Sequence, residues 1–316
     1  MFEQLTHNMY SGPALMLIAA ALTFFLTLGL LAARFSFLPR DHGRAFAVDG
    51  EKSEGKLRGV GLLFVLAFVA VTISFTPFRP EYLIYCALLI LVMLSGYLDD
   101  AADTPWADYK KGAIDLVLSI GTMALFVWKN PTAVTLFGNT YTLPVPLYFI
   151  LGIILIFTAI NVTNCADGVD GLSASVVTVS LLSFILVFSL ELDYYATSAL
   201  CFAGALLAYL VYNTSPSSML MGDAGSRAMG FFLALLSMKS GHPFVFIAFC
   251  AVLIIDGGLG LVKLFLKRYL HISILKNTLT PIHDHLRKNL GWSDTQVVIR
   301  YVIIQIVISV LVSVFL

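Results

Sequence analysis

The chain has 316 residues, of which 59% are hydrophobic and only 12% charged, with no formal net charge. A soluble globular domain carries about 25% charged residues, so that class is excluded. Several apolar runs exceed ~18 residues, the length a helix needs to cross hydrocarbon, and the ~10-residue alternating segments of a membrane β-barrel are missing.

The fold predicted is therefore all-α, a polytopic membrane bundle of about ten transmembrane helices. The spans fall at 13–34, 59–77, 82–98, 112–129, 145–163, 172–190, 195–212, 226–239, 243–266 and 296–316. The eighth is short, and "KSGHP" at 239–243 must turn the chain into the ninth. Residues 1–13 hold Glu3 but no Lys or Arg, and the run from Pro13 to Ala33 is longer than a signal-peptide core. A first transmembrane helix is expected there rather than a cleaved leader. No internal repeat or low-complexity tract interrupts the spans, so residues 1–316 are expected to form one domain. Cys86, Cys165, Cys201 and Cys250 are scattered without a C-x-x-C pair. They suit small packing residues better than a disulfide framework or a zinc site.

Alternating the connecting segments between two sides puts sixteen of the nineteen Lys and Arg on one side. Arg79, Lys129 and Lys239 remain on the other. The positive-inside rule makes the richer side cytoplasmic and places both termini outside. Removing one span would destroy the asymmetry, so an even number of spans is expected.

The acids gather on the same side. Asp99 and Asp100 end the third span in "GYLDDAADTPW", and "NVTNCADGVDGL" (161–172) follows the fifth. Asp223 stands in "MGDAGS" before the eighth, and "PIHDHLRK" (281–288) lies in the loop after the ninth. Asn161, Asn164, Asp167 and Asp170 recur every three residues, a spacing that drifts by ~60° per step around an α-helix. Gly168 and Gly171 can break the helix and turn both carboxylates toward one pocket. Read alone, the stretch is equally a polar turn with Asx caps. Asp99–Asp100 alone is either a solvated helix end or a divalent-metal or general-base pair. Backbone N–H groups at the start of the eighth span can meet phosphate oxygens. His283 and His285 flank Asp284, and with carboxylates abundant and no cysteine near, zinc is not favoured. Asp256, inside the ninth span in "LIIDGGLG", reads as a buried helix–helix hydrogen bond, with an ion path as the alternative. Oxygen-rich ligands suit Mg²⁺, the usual companion of phosphate chemistry.

Together the motifs resemble the polyprenyl-phosphate N-acetylhexosamine-1-phosphate transferase superfamily, whose four signatures occur in order as "LDDA", "NCADGVDGL", "MGDAGS" and "PIHDH". The C-terminal "PIHDHLRKNLGWSDTQVVIRYVII" is similar to that of the phospho-MurNAc-pentapeptide-transferase family. The resemblance implies transfer of phospho-MurNAc-pentapeptide from its UDP carrier to undecaprenyl phosphate, giving lipid I and UMP at the cytoplasmic face of the bacterial inner membrane. It also implies Mg²⁺ on Asp223, with Asp99 and Asp100 close by, Asp99 as base and Asp100 orienting the metal or phosphates. Asn164, Asp167, Gly168 and Asp170 would line the nucleotide site, Asp170 at the uracil. His283 would contact pyrophosphate or sugar, and Asn213, Lys111, His285 and Lys52 would complete the substrate-binding set. The partners implied are UDP-MurNAc-pentapeptide, undecaprenyl phosphate and the lipid bilayer; a homodimer is allowed for and no nucleic acid is expected.

Several positions depart from the family pattern. Leu57 and Arg58 stand where Pro and Thr are expected, Asp284 replaces the middle histidine, and Asp103 lies near the place of a family lysine. Arg58 speaks for a rival substrate, UDP-GlcNAc, and the P-I-H and G-W frame speaks against it. A transporter is the rival of another class, but transporters place polar sites near the midplane, often in repeated halves. Only Asp256 has that character.

Overall fold

The computed structural model describes residues 12–41, 43, 53–136 and 138–316. Helices α1 (Gly12–Ala32), α2 (Gly61–Phe75), α3 (Pro80–Asp100) and α4 (Asp108–Lys129) come first. A β-hairpin of β1 (Ala133–Leu136) and β2 (Asn139–Thr142) precedes α5 (Val145–Cys165), α6 (Leu172–Leu192), α7 (Tyr194–Asn213) and α8 (Gly222–Lys239). The ninth predicted span is broken into α9 (Val245–Phe249), α10 (Ala251–Leu253), a π-helical turn at Ile254–Gly258 and α11 (Leu259–Tyr269). Helices α12 (Ile282–Leu290) and α13 (Asp294–Ser313) close the chain.

Seven of the described helices are long and apolar enough to cross a membrane: α1, α3, α4, α5, α6, α7 and α13. This is a polytopic helical membrane protein. Large apolar side chains on α1, α6 and α13, among them Phe25, Leu186 and Val307, point outward. In water such faces would aggregate; in hydrocarbon they are the solvated surface.

Local signals set the helix ends. Pro80 opens α3 with Glu81 in its first turn, and Ser293 and Gln296 form a capping box at the start of α13. Helix α12, inside the predicted 268–295 loop, runs from Pro281 to a left-handed Gly291.

Helix α8 is the centre of the bundle, contacting α2, α3, α5, α6 and α7. Every residue from Gly222 to Met238 is buried. Missing side chains permit the crowding. A Cβ on Gly96 of α3 would lie 2.4 Å from the Asp223 carbonyl, and one on Gly61 of α2 would lie 2.1 Å from the Gly225 nitrogen. Such close backbone approach is how membrane helices gain packing energy without a hydrophobic drive between them.

Two differences from the sequence reading have physical reasons. The hairpin is too short for periodicity to reveal, and Thr135 N–H anchors it by donating to Gly241 O at 2.9 Å. The ninth span breaks where Gly257 and Gly258 let the backbone widen against α5: a Cβ on Gly257 would lie 2.4 Å from Val162 O.

Candidate active site

The end of the bundle that carries the C-termini of α3, α5 and α7 and the N-termini of α4, α6 and α8 gathers the polar chemistry. Asp223 is the second residue of α8. Gly222 before it has φ +66°, a left-handed conformation that glycine adopts freely. Asp100, from the last turn of α3, accepts the Ala224 N–H at 3.2 Å and so caps α8. Asp99 accepts the Trp106 N–H at 2.7 Å. The carboxylates of Asp99, Asp100 and Asp223 are all buried.

Two cations bind these three acids together. Lys111 on α4 pairs with Asp99 and reaches Asp223 at 3.5 Å. Arg58, in the segment leading to α2, donates from Nε to Asp100 at 2.8 Å and from Nη1 to Asp41 at 3.0 Å. Its Nη2 lies 3.7 Å from Asp223. Burial works against the Arg58 charge, but the carboxylates of Asp100, Asp223 and Asp41 outweigh it and raise its pKa above the usual range. Both cationic side chains keep some solvent exposure, 18% for Arg58 and 27% for Lys111, so an anion can reach them from the open side.

Of the residues predicted from the 161–172 stretch, Asn164 joins this cluster, donating to Ser226 Oγ at 2.9 Å beside Asp223. Helix α5 stops at Cys165 and Gly171 turns left-handed (φ +82°), the break the glycines predict. The two carboxylates take different partners. Asp167 accepts from Ser173 at the start of α6. Asp170 accepts from Ser217 N–H and Oγ–H, both at 2.8 Å, with Lys56 Nζ 3.8 Å away. Asn213 pins the same turn, accepting the Gly171 N–H and donating to Met219 O, each at 2.9 Å. His283 is buried against Gly168, where a Cβ would lie 2.3 Å from its Nε2. His285 instead accepts the Leu279 N–H at 3.4 Å. Lys52 lies outside the described residues.

Sequence reasoning missed four participants. Asp41 and Arg58 come from the first connecting segment, and Arg58 was visible only as a departure from a family pattern. Asp115 and Arg227, both buried, form an ion pair beneath the cluster. Their signal was the spacing of four from Lys111 and Asp223, which puts each on the same helix face as its predicted neighbour.

Among the described residues no three His, Cys, Asp or Glu side chains close a metal cage. Mg²⁺ asks for less, commonly one or two carboxylates with waters and substrate phosphates. The oxygen-only donors Asp223, Asp99 and Asp100, opening beside two phosphate-matching cations, fit that requirement.

Fold and site together define a helical membrane protein with a carboxylate-rich centre, bridged by two cations, at one end of its bundle. The family model described as "Glycosyl transferase family 4" matches residues 82–241. The phospho-N-acetylmuramoyl-pentapeptide-transferase of Treponema pallidum subsp. pallidum is 37% identical, covering 94% of this chain and 90% of its own. Enzymes of the same name from Clostridium botulinum and Dictyoglomus thermophilum are 29% and 26% identical, covering 87% and 85% of this chain and 89% and 87% of their own. The chain belongs to glycosyl transferase family 4, among the phospho-N-acetylmuramoyl-pentapeptide-transferases, and is a phosphoglycosyl transferase.

Proposed function

We propose that this single-domain enzyme transfers phospho-MurNAc-pentapeptide from UDP-MurNAc-pentapeptide to undecaprenyl phosphate, producing lipid I and UMP for peptidoglycan synthesis. The observation that carries the reading is the cluster in which Arg58 and Lys111 bridge Asp99, Asp100 and Asp223 at the mouth of α8. The names of the relatives supply the substrates. The sequence pattern that puts sixteen of the nineteen basic residues on one side, the side that also carries these acids, supports an active site on the cytoplasmic face, ten spans and both termini outside.

Reaction of two phosphates must overcome like-charge repulsion. The phosphates of both substrates compete with the carboxylates for Arg58 and Lys111, whose heads are open enough to exchange partners. Mg²⁺ held by Asp223, with Asp99 and Asp100, would supply further neutralisation of the pyrophosphate. Asp99 takes the last proton from the lipid phosphate, and Asp100 fixes the start of α8. A lipid-phosphate oxygen then attacks the sugar-linked phosphorus, the bond to the bridging pyrophosphate oxygen breaks, and UMP leaves with that electron pair. The turn of Asn164, Asp167, Gly168 and Asp170, pinned by Asn213, faces the nucleotide, and His283 meets the sugar phosphate.

UMP release by purified protein tests the reading, with undecaprenyl phosphate and Mg²⁺ present and each UDP-sugar offered separately. Release with UDP-MurNAc-pentapeptide, lost in Asp223→Ala, is expected. Release with UDP-GlcNAc alone would overturn the substrate assignment and make Arg58 its better guide.

A further inference from the structure

Asp256 is 1% exposed and lies in the π-helical turn of the broken ninth span. A π turn fits one extra residue into a helix, re-aims the side chains around it, and recurs at functional positions. Here it turns Asp256 inward, where three donors meet its two oxygens. Oδ1 accepts the backbone N–H of His283 at 2.7 Å and the Tyr301 hydroxyl at 3.0 Å. Oδ2 lies 2.6 Å from His283 Nδ1. The contacts join the π turn to α12 and α13, three elements far apart in the sequence.

An ionised carboxylate can only accept hydrogen bonds. If Asp256 is ionised, the 2.6 Å contact takes the proton on Nδ1, and a neutral ring then carries its lone pair on Nε2. Nε2 faces the other way, toward Gly168 in the turn between α5 and α6, with Asp284 Oδ1 3.8 Å from it. The second bond from Asp256, to the backbone of the same histidine, fixes where α12 begins as well as how the ring is turned.

We propose that Asp256, itself oriented by Tyr301, is a positioning residue that locks His283 in the Nδ1–H tautomer with Nε2 presented to the nucleotide-sugar side of the site. This rests on the reading that His283 meets the substrate. In that role the tautomer matters more than the mere presence of the ring. Exchanging Asp for Asn behind a hydrolase histidine leaves the geometry in place but lowers turnover about 10⁴-fold through the wrong tautomer. Partners behind metal-bound histidines commonly contribute about 10–100-fold.

The test uses the full chain in nanodiscs, labelled with ¹⁵N-histidine, with His283→Gln assigning the His283 resonances. Nδ1–H is expected in the wild-type protein. Asp256→Asn, whose amide can donate to Nδ1, is expected to move the proton to Nε2 and lower kcat about 100-fold, with KM changed less than about threefold. Asp256→Glu should restore the Nδ1–H tautomer and at least about a tenth of turnover, and Tyr301→Phe should cost about three- to tenfold. A wild-type Nε2–H tautomer would overturn the proposal, whatever the variants do. Unchanged turnover in Asp256→Asn with the tautomer moved would overturn its catalytic part. Full turnover in His283→Gln would instead overturn the reading of His283, while the wild-type tautomer would still decide the Asp256 contact.

Discussion

Asp115 and Arg227 form a buried ion pair one helical turn beneath Lys111 and Asp223, and the signs reverse between the two levels. On α4 the cation Lys111 is followed four residues later by an anion. On α8 the anion Asp223 is followed four residues later by a cation. Asn161 of α5 donates to Asp115 at 3.3 Å, and Asn164, one turn on, sits beside Asp223. The lower level is closed off: Arg227 is 2% exposed and its Nη1 finds no hydrogen-bond partner among the described residues. It carries no open face for a substrate, so its role is to hold α4 against α8 and set Lys111 against Asp223.

Breaking that pair from one side strands a charge in a dry place, at a cost of about 3–5 kcal/mol, whereas apolar replacement of both partners is often neutral. Arg227→Leu and Asp115→Leu are each expected to destabilise the detergent-solubilised protein strongly. The double variant should recover most of the loss. Equal melting temperatures for one single variant and the wild type would rule this out.

Arg58 grips three carboxylates with one planar fork, which lysine cannot reproduce. Arg58→Lys is expected to lower kcat/KM for UMP release about tenfold or more, and Arg58→Ala further, with little change in melting temperature. Wild-type kinetics in the lysine variant would show that charge alone suffices.

Gly222 has φ +66°, and a Cβ on it would lie 2.1 Å from Asp100 Oδ2. Gly222→Ala should cost about 1–3 kcal/mol through backbone strain and push Asp100 off the cap of α8. Turnover is expected to fall more than stability does, at least about tenfold, because positioning errors near 1 Å are costly at a reacting centre. An alanine variant with both properties intact would refute the cap.

Asp41 offers a pH signature. Burial raises its pKa, but hydrogen bonds from Ser53 and Gly43 and the Arg58 guanidinium outweigh this and hold it below the ordinary 3.8. A depressed carboxyl stabilises the fold above its unfolded pKa and loses that contribution as pH falls through the folded value. Protection of the Gly43 amide, its exchange rate relative to the intrinsic rate at the same pH, should therefore be high at neutral pH and fall below about pH 4. Asp41→Asn should remove the dependence; a profile identical in the two proteins would count against it.

The hydropathy of the sequence located the helical segments, and the carboxylates at their ends located the candidate site, because both signals are local. Asp99, Asp100, Lys111, Asn164 and Asp223 meet as their motifs imply. What stayed hidden depends on tertiary partners. Asp115 lies inside a run that reads as simply apolar, and only the burial of Arg227 across from it explains its charge. Asp256 was legible as a buried hydrogen-bonding group, but its partners His283 and Tyr301 are 27 and 45 residues away. Asp167 and Asp170 occupy the right turn, yet each is engaged with a serine on a different element. The spacing could not show that.

The central position of α8 bears on how the protein is made. With Asp223, Arg227 and Lys239 in eighteen residues, and Arg227 inside its second turn, this helix is a poor candidate to leave the translocon for lipid by itself, since a charge costs up to about 2.5–3.5 kcal/mol on insertion scales as it nears the helix centre. Its counter-charges on α3 and α4 are synthesised earlier, and so are the glycine surfaces of α2 and α3 that receive it. Biogenesis then has a built-in order, in which the first helices wait in the membrane as a receptor and α8 enters protein rather than lipid.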